Sequence, residues 1–259
     1  MPSPATEPIL RVEGLGVSYG ALVALDDVSW HVSGAEILGL IGPNGAGKSS
    51  CYDAVTHLVR RRGRVILCGE DVTSVPPHHL SARGLKRAFQ QNAFFHELSV
   101  IENMVAVLQD RHGTSLLTST LLPFKQARRL VTALEDARRS LIRFRVPAEY
   151  HGAMPSNVPY GVQRMLSIAL AYGGGARALL LDEPAAGLGG TDMSRLVELL
   201  VELKCEGLAL VVIEHRMDLI MRIADRIVVL DQGRVLATGT PREIQGDARV
   251  LEAYLGRVQ

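Results

Sequence analysis

The sequence predicts an α/β protein: a largely parallel sheet with flanking helices, interrupted by an all-helical lobe. Three observations predict it. A short apolar run, Ile37 to Ile41, leads directly into Gly42-Pro-Asn-Gly-Ala-Gly47-Lys48-Ser49, and a helical stretch of roughly Lys48 to Val59 follows. Two more apolar runs of strand length, Ala178 to Leu181 and Leu208 to Ile213, each stop at acidic residues, as buried parallel strands do at a sheet edge. From Ser99 to Arg145 strand signals vanish and the apolar period becomes that of a helix.

A chain of 259 residues suits one large domain or two small lobes and is ample for a hydrophobic core. With a formal net charge of +1, no strong field points to nucleic acid or anionic lipid. The three cysteines (Cys51, Cys68, Cys205) are scattered without a C-x-x-C pair, which fits a reduced, cytosolic protein. The start, MPSPATEP, has neither the basic segment nor the apolar core of a signal peptide. No apolar run approaches the length of a membrane span, so work at a membrane requires another chain to cross it.

Ile9 to Val17 reads as a first strand, broken at Ser18-Tyr19-Gly20, and Leu25 to Val32 as a second, closed by the Ser33-Gly34 turn. Tyr19 is an aromatic at a strand end upstream of the glycine loop; it either stacks on a base or packs as a surface tyrosine. The loop itself fits G-x-x-x-x-G-K-[ST] without a mismatch, in the strand–loop–helix setting that makes this pattern a phosphate-binding loop. Gly42, Gly45 and Gly47 let successive N–H groups turn inward, and the following helix adds its positive dipole end. Lys48 is placed to reach β- and γ-phosphates, and the Ser49 hydroxyl to hold Mg²⁺.

Arg64 to Cys68 is the next strand; Val75-Pro-Pro-His-His79 turns into a short helix, Leu80 to Arg83; Leu85 to Gln90 is a further strand. In the helical lobe, Leu130, Val131, Leu134, Ala137, Leu141 and Ile142 form an apolar stripe, and Arg128, Arg129, Arg138, Arg139 and Arg143 fill the other face. That basic face is either a docking surface or a solvated one. At Ala178 to Pro184 (ALLLDEP) the sheet pattern returns. Asp182 stands where P-loop enzymes keep a Mg²⁺-associated aspartate, and Glu183 where a base can polarise a water, although an Asp-Glu pair also opens helices. A helix spans Thr191 to Cys205, with Thr191-Asp192 as its cap. After Leu208 to Ile213 come Glu214 and His215; the histidine either touches a γ-phosphate or caps the next helix. Arg226 to Leu230 and Arg234 to Thr238 form a hairpin; short helices follow from Thr240-Pro241 and over Ala248 to Leu255.

The order of phosphate loop, glutamine, helical lobe, LLLDEP and strand–His resembles the ATP-binding subunits of ABC transporters over nearly the whole chain. Val158-Pro-Tyr-Gly-Val-Gln163 stands where that family usually reads L-S-G-G-Q, and Gly161 is what survives. The P-Y-G run before Gln-Arg, together with Asp182-Glu-Pro-Ala-Ala-Gly-Leu188, Ile213-Glu-His-Arg-Met217 and Leu251-Glu-Ala-Tyr-Leu-Gly256, is similar to the branched-chain-amino-acid-type importers. The resemblance implies a P-loop NTPase core of ABC type with an antiparallel β subdomain and an inserted α-helical subdomain. The single 1–259 domain would divide into a core of about 1–95 and 174–259 and a helical subdomain of about 96–173.

The resemblance also implies roles. Tyr19 would stack on adenine, and the loop residues Gly42, Asn44, Gly45, Ala46, Gly47, Lys48, Ser49 and Ser50 would hold ATP. Ser49, Gln90 and Asp182 would hold Mg²⁺, with Gln90 also contacting the attacking water. Glu183 would be the base and His215 would hold the γ-phosphate. Two such subunits would sandwich two ATPs, with Gly161 facing the partner's nucleotide. The implied partners are transmembrane permease subunits, a second ATP-binding subunit (a heterodimer, given Pro159 and Val162 in the signature) and, indirectly, an extracytoplasmic solute-binding protein. No nucleic acid is implied. The location would be peripheral, on the cytoplasmic face of the membrane. Gly189 replaces the usual Asp after Glu183, and Leu170 a usual Arg. Rival readings are a soluble ABC-type ATPase, a GTPase (there is no N-K-x-D) and a degenerate regulatory cassette.

Overall fold

The computed structural model describes residues 7–88, 94–111 and 123–255. The chain divides into two compact units, one of Met1–Gln90, Arg177–Ala186 and Val197–Gln259, the other of Gln91–Ala176 and Gly187–Leu196.

The first unit holds two sheets. Strands β1 (Leu10–Tyr19), β2 (Leu22–Val32), β4 (Arg62–Leu67) and β5 (Glu70–Asp71) form an antiparallel sheet in the order β2-β1-β4-β5. Strands β3 (Glu36–Ile41), β6 (Leu85–Ala88), β7 (Ala178–Asp182), β8 (Ala209–Ile213), β9 (Arg226–Asp231) and β10 (Arg234–Gly239) form the other, in the order β10-β9-β3-β8-β7-β6. It is parallel from β9 to β6, with β10 antiparallel at the edge. The central strands are apolar between their ends because both of their faces are covered; all five residues of β8 are buried. One core joins the inner faces of both sheets through Val12, Trp30, Val65, Leu38, Leu180 and Val211. Helix α1 (Lys48–Val55) enters that core with Cys51, Tyr52, Ala54 and Val55.

Helix α1 packs by two polar contacts as well. The Trp30 indole N–H donates to the Cys51 sulfur at 3.4 Å, and burial pushes the Cys51 thiol up to about 12. The Tyr52 hydroxyl lies 3.0 Å from the Ala88 carbonyl oxygen and 3.3 Å from that of Leu180, so one α1 side chain ties together β6 and β7. The helix is a turn shorter than the sequence suggests. Thr56 caps it, His57 takes φ 62°, and the His57 and Leu58 N–H groups bond back to Ala54 and Asp53. This is a Schellman stop built without glycine, which is why no breaker was visible in the sequence.

Other boundaries shift for local reasons. β1 runs through Tyr19, which pairs with Leu22 across a tight turn at Gly20, so the break comes later than expected and β2 begins earlier. Helix α2 (Pro77–Ala82) starts at the second proline, a favoured first helical residue, rather than at Leu80. At the carboxyl end, Thr240 and Glu243 form a reciprocal capping box for α8 (Pro241–Gly246), followed by α9 (Ala248–Leu255).

The second unit is helical: α3 (Val100–Arg111), α4 (Pro123–Arg143), α5 (Tyr160–Gly173) and the start of α6 (Gly190–Cys205). Ala137 and Leu141 on α4 and Phe144 just past its end are buried, but Val131 and Ile142 are exposed, contrary to the expected stripe. At about 100° per residue these two stand roughly 80–100° to the same side of Leu141, together at one margin of the apolar face. Arg143 does not belong to an open basic face either. Its guanidinium lies 5.4 Å from the Phe144 ring centroid and 4.7 Å from that of Tyr172. Asn103, buried, accepts the Phe95 N–H at 2.8 Å, and its amide nitrogen lies within 3.1 Å of the Phe95, Leu98 and Ser99 carbonyls. That side chain fixes the loop before α3, leaving Phe95 61% exposed while Phe94 turns inward.

Candidate nucleotide-phosphate site

Three adjacent parallel strands deliver the candidate residues to one edge of the sheet. β3 ends at the glycine loop, β8 at Glu214-His215 and β7 at Asp182-Glu183. Leu40 and Asp182 both pair with Ile213, so the three strands finish level. Ligands of open α/β sheets collect at such carboxyl ends.

The glycine loop can take its shape only with glycine at its ends. Gly42 has φ 154°, and a Cβ there would overlap the Leu230 carbonyl oxygen at the end of β9. Gly47, the cap of α1, has φ 101°, and a Cβ would lie 2.7 Å from the Ala24 carbonyl oxygen. The Ala46 carbonyl accepts the Gly233 N–H at 3.0 Å, and the Gly233 carbonyl accepts the Asp26 N–H at 2.8 Å, so the β9–β10 turn and β2 brace the loop. Gly47→Ala is expected to cost about 1–3 kcal/mol for the backbone conformation alone. Thermal unfolding should fall by several degrees, and titration with a fluorescent ATP analogue should show the loop's affinity lost with it.

Lys48 curls over the loop and donates to the Gly42 and Pro43 carbonyls at 2.7 and 3.0 Å. Half-burial lowers its pKa, and the carboxylates of Glu183 and then Asp182 push it back up. The ammonium therefore sits between carbonyl dipoles and two acids, ready to exchange the carbonyls for phosphate oxygens. Ser49 is exposed on the first turn of α1, and Ser50 is half-buried beside it; Asn44 and Gly45 lie exposed on the loop.

Asp182 has its carboxyl raised above the usual range, first by burial and then by Glu183. Arg87 pulls it down, while Asp53 and Glu214 add to the rise. Arg87 bonds Asp53 at 3.4 Å and stacks on the Tyr52 ring, 4.4 Å from its centroid. Glu183 follows at φ 46°, a left-handed conformation that side chains with a Cβ rarely adopt and that concentrates at functional sites. His215 Nδ1 lies 3.5 Å from the Glu183 carboxylate. It does not cap α7 (Met217–Ile223); the residue before that helix is Arg216, without a side-chain cap. Among the described residues no three His, Cys, Asp or Glu side chains converge to hold a metal alone. Hard oxygens are nevertheless present in the Ser49 hydroxyl and the Asp182 carboxylate, and burial beside other acids gives Asp182 reason to take a cation. That donor set suits Mg²⁺ shared with phosphates rather than caged by protein.

Tyr19 stands 47% exposed at the end of β1, with Leu22 and Val23 also exposed on the facing strand. Gln90 lies outside the described residues. Gly161 is in the other unit, on the first turn of α5, where a Cβ would press on the Asp192 carboxylate. Pro159 precedes that helix and offers no side-chain cap. Sequence reasoning passed over Glu214, whose signal was an acid following an unbroken apolar strand, and Tyr52, whose signal was an aromatic one turn into α1.

The family profile described as ABC transporter matches residues 25–186, and one described as branched-chain amino acid ATP-binding cassette transporter matches residues 234–258. The chain is 37% identical over 253 residues to the high-affinity branched-chain amino acid transport ATP-binding protein LivG of Salmonella typhimurium, covering 97% of this chain and 99% of LivG. BraF of Pseudomonas aeruginosa, of the same description, is 36% identical over 254 residues, with 97% and 99% covered. The lipopolysaccharide export system ATP-binding protein LptB of Haemophilus influenzae is 32% identical over 249 residues, covering 96% and 97%. Among solved structures, the ADP conformation of MJ1267, an ATP-binding cassette of an ABC transporter, superposes with a TM-score of 0.81 at 27% identity, covering 97% of this chain and all (100%) of that one.

Proposed function

The chain belongs to the ABC transporter family of ATP-binding, ATP-hydrolysing subunits, and from that premise we propose that it powers import of a branched-chain amino acid or a related small solute. The observation that carries the site is the level finish of β3, β8 and β7, which brings the Lys48 loop, His215 and Glu183 to one sheet edge. The solute class is supported by the carboxyl-terminal match over residues 234–258, and by LivG and BraF standing above LptB in identity. Members of this family dimerise and work with transmembrane permease subunits. No described helix of this chain is long and apolar enough to cross a membrane. We place it peripherally on the cytoplasmic face, served indirectly by an extracytoplasmic solute-binding protein.

In this reading the loop from Gly42 to Ser50, with Asn44, Gly45, Ala46 and Gly47, wraps the phosphates with inward N–H groups. Lys48 leaves the loop carbonyls for the β- and γ-phosphates. Tyr19 stacks on adenine. Ser49 and Asp182, with Gln90, hold Mg²⁺, which neutralises charge on the phosphate oxygens. Glu183 accepts the proton of a water aimed at the γ-phosphorus, and His215 steadies the γ-phosphate from beside it. Gly161 and the α5 dipole face the partner's nucleotide. Uptake of labelled leucine into vesicles carrying this chain with its permeases tests the reading; uptake independent of ATP would overturn it.

Phe95 is the proposed permease contact, since it is the exposed member of the Phe94-Phe95 pair on a loop that Asn103 holds rigid. Phe95→Ser is expected to weaken co-purification with permease subunits at least about tenfold, while ATP-analogue affinity stays within about twofold. Normal co-purification would remove this contact.

The dimer is proposed to be a heterodimer. Pro159 supplies neither a hydroxyl nor an N–H where the family's signature serine stands, and a hydrogen bond to a charged acceptor contributes about 1.5–3 kcal/mol. A partner with an intact signature would complete the site built on this chain's Lys48 and Glu183. Glu183→Gln here should then lower ATPase of the assembled transporter more than the matching change in the partner. Equal losses, or a purified homodimeric transporter, would contradict the asymmetry.

A further inference from the structure

We propose that Glu214 is a positioning residue: its buried carboxylate holds the turn that carries Glu183 against the turn that carries His215. Glu214 is 0% exposed and follows the last residue of β8. One of its oxygens, Oε1, accepts the Ala185 N–H at 2.9 Å. The other, Oε2, accepts the N–H groups of His215 at 3.2 Å and Arg216 at 3.4 Å. A carboxylate removed from water is costly unless its oxygens are satisfied, so this side chain commits both turns to one arrangement.

The Glu183 turn needs such support. Glu183 sits at φ 46°, with its N–H on the Ile213 carbonyl at 2.8 Å and its own carbonyl accepting the Ala186 N–H at 3.1 Å. A residue with a Cβ stays there only when its surroundings fix it. Between those two backbone bonds, Ala185 has its N–H taken by Glu214. The same carboxylate lies 3.9 Å from His215 Nδ1, while Glu183 approaches that nitrogen from 3.5 Å. Glu214 thus sits behind Glu183 and His215, the two groups assigned to the γ-phosphate, and bears on the reaction only through them. An acid satisfied in this way purely for packing would leave turnover unchanged when altered. An acid that sets the Glu183 turn would not, because a shift of about 1 Å at a reacting group costs on the order of a hundredfold in rate.

The inference rests on the reading of Glu183 as base, and the test separates the two. Glu214→Gln keeps the shape but turns an N–H₂ donor toward backbone N–H donors, losing an acceptor. In the full chain with its partners, kcat for ATP is expected to fall at least about tenfold while KM and ATP-analogue affinity stay within about twofold. Added to Glu183→Gln, it should lower the residual rate no further. Glu214→Asp keeps the charge but is a methylene short, so it should hold its own turn and lose Ala185, with the same kcat loss at unchanged KM; it decides the matter if the glutamine variant does not fold. In the wild type, the Ala185 amide should exchange hydrogen as slowly as the β8 amides. Wild-type kcat in either variant, a rise in KM matching the loss in kcat, an additive loss in the double variant, or fast exchange at Ala185 would each overturn the proposal. If Glu183→Gln itself hydrolyses like wild type, the base assignment fails; if it is inactive while Glu214→Gln turns over normally, only the role of Glu214 fails.

Discussion

Glu183→Gln is expected to cut ATP hydrolysis about a hundredfold or more while ATP binding persists. Glutamine keeps the volume and the turn but cannot accept the water's proton. The phosphate loop and Lys48 are untouched, so affinity for an ATP analogue should stay within about twofold. In the proposed cycle the dimer closes on ATP and reopens after hydrolysis, so the variant should also remain dimeric for longer once ATP is added. Phosphate release and size-exclusion chromatography with ATP check the two halves. Hydrolysis at the wild-type rate would show that the proton goes elsewhere.

Lys48→Ala should weaken ATP–Mg²⁺ binding or hydrolysis by at least about tenfold, equivalent to about 1.4 kcal/mol. Two effects combine. The variant removes the only loop cation, and it frees the Gly42 and Pro43 carbonyls that Lys48 now satisfies. Those carbonyls then face the incoming phosphates without a positive charge between them. Calorimetric titration with ATP and a phosphate-release assay check it, and unchanged values in both would remove the phosphate-loop assignment. Thermal unfolding is the control, since Lys48 is not part of the core and the variant should melt close to wild type.

Most of this architecture could be read from local pattern. The apolar runs of β7 and β8 hand over to acidic residues at the sheet edge and that of β3 hands over to the glycine loop, so both strand and site came from one signal. The hairpin of β9 and β10 announced itself through Asp231-Gln-Gly233. What stayed hidden has physical causes. The end of α1 is a left-handed His57, a stop with no glycine to mark it. The fit of Arg143 against Tyr172 joins residues 29 apart in the chain, so charge periodicity alone placed it on an open basic face. β5 is two residues long and exists only by pairing with β4. Within the site, residue types that touch phosphate were legible because their spacing is local. Glu214 and Tyr52 were not, because they reach backbone groups distant in sequence, Ala185 on the turn after β7 for Glu214 and Ala88 and Leu180 on two strands for Tyr52.

The central claim is that Lys48 and Glu183 act on one bound ATP to drive a membrane partner. Single-turnover hydrolysis measures this most directly. Labelled ATP is bound to the assembled transporter in vesicles, excess nucleotide is removed, Mg²⁺ is added, and release of labelled phosphate is followed in wild type, Glu183→Gln and Lys48→Ala. The expected result is stoichiometric bound ATP and rapid release in wild type, bound ATP with almost no release in Glu183→Gln, and little ATP bound at all in Lys48→Ala. Release from Glu183→Gln at the wild-type rate, or full ATP occupancy and release in Lys48→Ala, would contradict it.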